Sequence, residues 1–220
     1  MFGLSSQNAN EIYTLEIPGR AGVIGLSACP GVRLDSPKRG SQPRHLKRDI
    51  AGFQEWGATG IVTLNQEEEL HGLGLGDLGH QLMEAGFSWR HLPIEDMNVP
   101  EPEFEDTWQI ESQQICASLA AGERIVIHCL AGLGRTGMIA ARLLVDMGMG
   151  PERAIIEVRR VRARAIQTTA QADYVHQFGK KTSADRWSRL QGRQTSVNRP
   201  ISGGQNGRGP GDFDMKGFGT

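Results

Sequence analysis

A chain of 220 residues with 38% hydrophobic and 22% charged residues has the size and composition of one globular domain with an appendage, rather than two full domains. Its formal net charge of -1 gives no overall pull toward nucleic acid or membrane, and no apolar run reaches the ~18 residues of a transmembrane helix. Three cysteines (Cys29, Cys116 and Cys129) cannot make a complete disulfide framework and include no zinc-type CxxC pair, so free thiols are expected, with no metal and no cofactor. The opening MFGLSSQNANEIYTLE lacks a basic n-region and an apolar h-region, so a cytoplasmic address is the default expectation.

In chain order, residues 1–11 read as a flexible start. Leu46, Ile50, Phe53 and Trp56 recur at helical spacing, which predicts a helix over 43–57 with one buried face. Ile61 to Leu64 make a short buried strand. The Gly-rich stretch HGLGLGDLGH at 71–80 reads as a loop opening a helix to about Ala85, and Trp89 to Ile94 suits another strand. Pro100 and Pro102 lead into a helix over about 103–121. The run Arg124-Ile-Val-Ile-His128, with three consecutive β-favouring residues, is the candidate central strand. A tight glycine turn then opens a helix carrying Met138, Ile139, Leu143 and Leu144, and Pro151 starts a further helix to about Arg162. Strands alternating with helices predict an α/β fold with a central, mostly parallel sheet flanked by helices. From Lys180 the chain is Gly-rich and polar, with eight basic and three acidic residues, and leaves residues 1–179 at a net charge of -6. The composition of 180–220 predicts a disordered basic tail, and residues 12–179 a single catalytic-type domain.

The chemistry concentrates in His128-Cys129-Leu130-Ala131-Gly132-Leu133-Gly134-Arg135-Thr136-Gly137. A cysteine ends a buried strand, five residues wrap round, and an arginine starts a helix. Such a wrap turns the backbone N–H groups of Leu130, Ala131, Gly132, Leu133 and Gly134 into one concavity at the positive end of a helix, which suits a phosphate dianion. Gly132 and Gly134 supply the unusual dihedrals and the room for close approach. The planar fork of Arg135 can clamp two phosphate oxygens. Helix N-termini and cationic neighbours favour a thiolate, which makes Cys129 the candidate nucleophile. The same residues spell Gly132-x-Gly134-x-x-Gly137, a dinucleotide-binding pattern. The region about 20 residues on, where that reading needs a strand ending in Asp or Glu, is instead arginine-rich and helical. A second match at Gly74, Gly76 and Gly79 follows no strand.

HCLAGLGRTG resembles the signature of the protein tyrosine phosphatase superfamily, His-Cys followed by five residues, Arg and a hydroxyl residue. The resemblance spans roughly residues 12–179 and lies with the small dual-specificity branch, in the kinase-associated phosphatase group. GLSACPG at 25–31, LPIEDMNVP at 92–100 and AIQTTAQ at 165–171 carry it further. It implies a fold of the cysteine-phosphatase type and hydrolysis of phosphate monoesters through a phosphocysteine. Asp96 occupies the position of the general acid that protonates the leaving oxygen. Its neighbour Glu95 should face the other way on an extended chain. Thr136 would assist hydrolysis of the phosphocysteine or cap the helix, and His128 would support the loop. Gln171 falls where relatives position the hydrolytic water; the alternative for it is an exposed glutamine at a helix start. Gln167 departs from the glutamate of many relatives. Cys29 and Cys116 read as core residues; the superfamily also knows a reversible disulfide from its nucleophilic cysteine, for which spacing alone names no partner.

The five residues between Cys129 and Arg135 include no lysine, and Glu95, Glu101, Glu103, Glu105 and Asp106 flank the acid segment. Both features disfavour a polyphosphoinositide, so the expected partner is a phosphoprotein carrying one phosphate on tyrosine, with serine or threonine as further options. A phosphoprotein-binding module, or a phosphatase for a phosphoinositide or an RNA 5′-phosphate, are the competing readings.

Overall fold

The computed structural model describes residues 11–33 and 43–179. A five-stranded sheet of order β1-β2-β5-β3-β4 forms from β1 (Tyr13–Glu16), β2 (Val23–Ala28), β3 (Gly60–Thr63), β4 (Ser88–His91) and β5 (Arg124–Cys129). Only the β1–β2 pair is antiparallel; β2–β5, β5–β3 and β3–β4 are parallel. The strand predicted at 124–128 is therefore central, as expected. The strands β1 and β2 were not legible, because β1 is only four residues long and Gly25 interrupts the apolar run of β2.

Strand side chains alternate between faces, and the helices divide accordingly. Ile125 and Ile127 of β5 join a core with Val62, Trp108, Ile115, Ile139 and Leu143. This core is built with α4 (Pro102–Ala120), α5 (Gly134–Asp146), α6 (Pro151–Val161) and a helix over 169–179. Val126 and Ile61 point the other way, into Leu46, Ile50, Phe53, Leu70, Leu78 and Leu82. That layer comprises α1 (Pro43–Trp56), α2 (Glu67–Gly72) and α3 (Leu78–Glu84). Fully burying a Leu, Ile or Phe contributes roughly 1.5–3 kcal/mol, so each apolar stripe has reason to sit where it does.

Two expectations need correction. The loop expected over 71–80 is shorter, because α2 (67–72) takes in its first two residues and α3 starts at Leu78; Gly79 is required by packing, since a Cβ there would meet the Trp89 ring at 2.4 Å. The strand expected to run to Ile94 leaves the ladder after His91, although the Leu92 and Ile94 N–H groups still donate to Thr63 O (2.9 Å) and Leu64 O (3.0 Å). The helix over Pro151–Val161 stands where a dinucleotide site needs a strand, so that reading fails. The expectations for residues 1–10 and 180–220 lie outside the described residues.

Candidate active site

All the parallel strands run toward one edge, and the cysteine that ends the central strand lies there, beside the first turn of α5. Cys129 is 3% exposed and Arg135 is 1% exposed. The connecting loop turns at Gly132 with φ +66°; a Cβ there would meet Ser27 O at 2.4 Å and Ala28 N at 2.7 Å, so the position admits only glycine. Gly134 adopts no positive φ. Its requirement is space, because a Cβ would meet Gln167 Oε1 at 2.8 Å and Gln171 Nε2 at 3.0 Å. The N–H groups of Ala131, Gly132 and Leu133 donate to no protein acceptor among the described residues. Carbonyls on the loop are anchored outward: Leu130 O accepts from the Cys29 N–H at 3.2 Å, and Leu133 O from Gly137 N–H at 2.9 Å and Ile166 N–H at 3.3 Å.

Arg135 is held by three residues from two segments, α2 and the stretch after β4. Glu69 on α2 takes the fork in a bidentate pair, Nη1 to Oε2 at 2.5 Å and Nη2 to Oε1 at 2.9 Å. Nη1 also donates to Ile94 O at 2.9 Å, and Nη2 lies 2.8 Å from Asp96 Oδ1. Burial opposes the guanidinium charge, but the Glu69 hydrogen bonds and the nearby Cys129, Glu69 and Asp96 outweigh it and raise the pKa above the ordinary arginine value. Burial likewise disfavours the Glu69 carboxylate, yet the Arg135 hydrogen bonds and the Gln66 N–H, 2.8 Å from Oε2, hold it below the usual carboxylate range. Sequence reasoning missed Glu69. The available signals were the Gln66-x-x-Glu69 spacing of a helix start and the need of a buried arginine for a carboxylate partner.

Asp96, not Glu95, meets Arg135. The cause is not strand alternation: the chain turns here, with Asn98 N–H on Glu95 O at 3.2 Å and Met97 at φ +61°. Glu95 instead accepts from Asn98 Nδ2 at 2.9 Å and lines a neighbouring groove. Gln171 is fully buried, which removes the alternative of an exposed helix-start residue. Its Oε1 accepts from the Gln167 N–H at 2.9 Å and its Nε2 donates to Asn98 O at 3.2 Å, so it ties the 167–171 segment to the acid turn. The Thr136 hydroxyl is buried, caps nothing and has no protein partner among the described residues.

His128 is fully buried with Nε2 2.8 Å from Thr63 Oγ1, which also accepts from Trp89 Nε1 at 2.9 Å. Burial, then the charges of His91 and Arg135, push its pKa down to about 3, so it stays neutral at working pH. Cys29 follows the β2 residue paired with Cys129; burial, then Cys129 itself, push its thiol pKa well up. Cys116 lies on α4, half-buried, its thiol raised to about 11 by burial. Among the described residues no group of His, Cys, Asp and Glu could hold a metal ion, and no helix is long and apolar enough to cross a membrane.

A strand-ending cysteine facing a helix-start arginine across a glycine-turned loop is an arrangement suited to phosphoryl transfer. Residues 39–149 match the family described as polymorphic toxin system, DSP-PTPase phosphatase. Cyclin-dependent kinase inhibitor 3 from Homo sapiens is 30% identical over 179 residues, covering 80% of this chain and 80% of that protein. The Rattus norvegicus protein of the same name is 29% identical over 182 residues, covering 81% and 80%. A crystal structure of kinase-associated phosphatase with its catalytic-site cysteine changed to serine superposes with a TM-score of 0.70 at 26% identity, covering 81% of this chain and 99% of that one. The chain belongs to the dual-specificity and tyrosine phosphatase family, whose members are cysteine-dependent phosphatases.

Proposed function

We propose that this phosphatase hydrolyses phosphate monoesters on phosphoproteins through a phosphocysteine at Cys129. The observation that carries the reading is the meeting of three groups at one strand edge: Cys129 at the loop start, Arg135 at its end, and Asp96 placed 2.8 Å from Arg135 by a separate turn. The N–H groups of Leu130, Ala131, Gly132, Leu133 and Gly134, with Arg135, hold the phosphate oxygens. Cys129 sulfur attacks phosphorus as the bond to the leaving oxygen breaks, and Asp96 gives that oxygen its proton. Water then attacks the phosphocysteine, positioned by Gln171, and its proton returns to Asp96. Thr136, whose buried hydroxyl has no other partner, donates to the departing sulfur. Neutral His128 fixes the cradle's first residue through Thr63 and takes no proton.

A single phosphate on a protein side chain suits the surroundings. The five side chains between Cys129 and Arg135 carry no cation, and a groove of about 440 Å³ beside the acid turn is lined by Glu95, Glu101 and Glu103 together with Leu92, Ile94 and Phe104. Relatives named for association with a kinase favour the same reading. We place the protein in the cytoplasm, with the catalytic domain over residues 12–179. Cys129→Ser should abolish p-nitrophenyl phosphate turnover and retain inorganic phosphate binding; substantial residual hydrolysis would remove Cys129 as the nucleophile.

A further inference from the structure

The cradle works only if its peptide units keep their N–H groups turned inward, and in a trans peptide the N–H points opposite to the preceding carbonyl. Each inward N–H is therefore fixed by whatever holds the carbonyl before it. Leu130 O and Leu133 O are held by backbone donors, so the N–H groups of Ala131 and Gly134 are set by the fold itself. Among the described residues, the two middle carbonyls have a single holder. Arg162, half-buried just past α6, donates from Nη2 to Ala131 O at 3.3 Å and from Nε to Gly132 O at 3.4 Å. Its own place is fixed by the Tyr13 ring, with the guanidinium carbon 4.1 Å from the centroid. The backbone on either side is shaped to deliver it. α6 ends at Val161 with Arg162 as its C-cap, and the following turn passes through Arg164 and Ile166 at φ +68° and +59° to place the Ile166 N–H on Leu133 O.

We infer that Arg162 is a positioning residue for the reaction: from behind the loop it orients the Gly132 and Leu133 N–H groups, the middle donors of the phosphate cradle. This rests on the phosphatase reading. Arg162 touches the carbonyl side of the loop, opposite the face that receives phosphate, so it differs in kind from Arg135. A planar guanidinium meets both carbonyls at once, whereas a lysine ammonium is a point donor and cannot keep the two in the same relative orientation. Gly132, the residue between the two peptide units, is a glycine at φ +66° with no side chain of its own to hold it, so an external holder is needed there.

The test uses the full chain carrying Cys129→Ser, with inorganic phosphate as the probe in calorimetry, so that it does not depend on turnover. Arg162→Met should weaken phosphate binding roughly tenfold or more, as two donors lose alignment, while the melting temperature moves by no more than about 2 °C. Arg162→Lys should recover only part of the affinity. With Cys129 intact, Arg162→Met should raise KM for p-nitrophenyl phosphate by a similar factor. Unchanged phosphate affinity in Arg162→Met overturns the inference, as does full recovery in Arg162→Lys, which would reduce Arg162 to a local charge. If the parent Cys129→Ser chain fails to bind phosphate and the native chain turns over no ester, the phosphatase reading itself falls, a result distinct from equal binding by parent and variant.

Discussion

Arg135 is buried and is the most contested side chain of the site. Its fork is shared by Glu69, Ile94 O and Asp96, so its orientation is fixed by α2 and its partner in chemistry is brought by the turn after β4. Glu69→Gln keeps the shape and removes the charge-assisted pair; phosphate affinity and kcat/KM should fall about tenfold or more, chiefly through KM, because the fork loses its fixed orientation. A Glu69→Gln enzyme with parental KM would show that the pair is incidental. For Asp96 the distinguishing variable is the leaving group. Asp96→Ala should cost roughly 10²–10⁴ in turnover of a phosphotyrosine peptide and markedly less with an ester whose leaving group needs no proton, the range for general acid catalysis. Glu95→Ala, removing a carboxylate that faces the groove, should leave that leaving-group dependence intact. The reverse pattern would assign the acid to Glu95.

At the scale of elements, the legible part of the site was local and the illegible part was long-range. Cys129, Arg135 and the glycines lie in one short strand-loop-helix, so spacing alone reveals their relation. Glu69 and Arg162 stand 66 and 30 residues from their partners on the loop, and only the parallel order β5-β3 and the packing of α6 on α5 bring them in. Asp96 rather than Glu95 meets Arg135, and a turn with Met97 at positive φ, not the strand alternation expected from the sequence, separates the two. The helices α1, α4 and α6 appear within a residue or two of expectation, because an apolar stripe or a proline at the first turn marks each, and α5 carries the four apolar residues expected on it. Gly132 tests the loop as an element. Gly132→Ala puts a Cβ onto the backbone of β2 at a φ that costs of order 1–3 kcal/mol for other residues, so it should abolish phosphate binding while the circular dichroism of the helices persists. Retained phosphate binding in that variant would mean the cradle is not this loop.

For the whole molecule, a buried histidine and a half-buried glutamate make the fold sensitive to acid. His128 has a folded-state pKa of about 3 against 6.5 when exposed, so the unfolded chain binds the extra proton and stability falls as pH drops from 6.5 toward 3, by at most about 1.4 kcal/mol per unit. Glu69, held below its ordinary 4.5, contributes stability above that value and loses it as pH falls further. Melting temperatures recorded from pH 7 to pH 4 should therefore decline, with a shallower slope for His128→Asn; equal slopes would show that His128 does not carry the effect. The central claim is that phosphate passes through the sulfur of Cys129. Its most direct test is a rapid denaturing quench of the full chain with ³²P-labelled phosphotyrosine peptide, followed by mapping of the label. The account predicts phosphate on Cys129, lost in Cys129→Ser and accumulating when Gln171→Ala slows attack by water. Turnover without a labelled enzyme, or label on another residue, would contradict it.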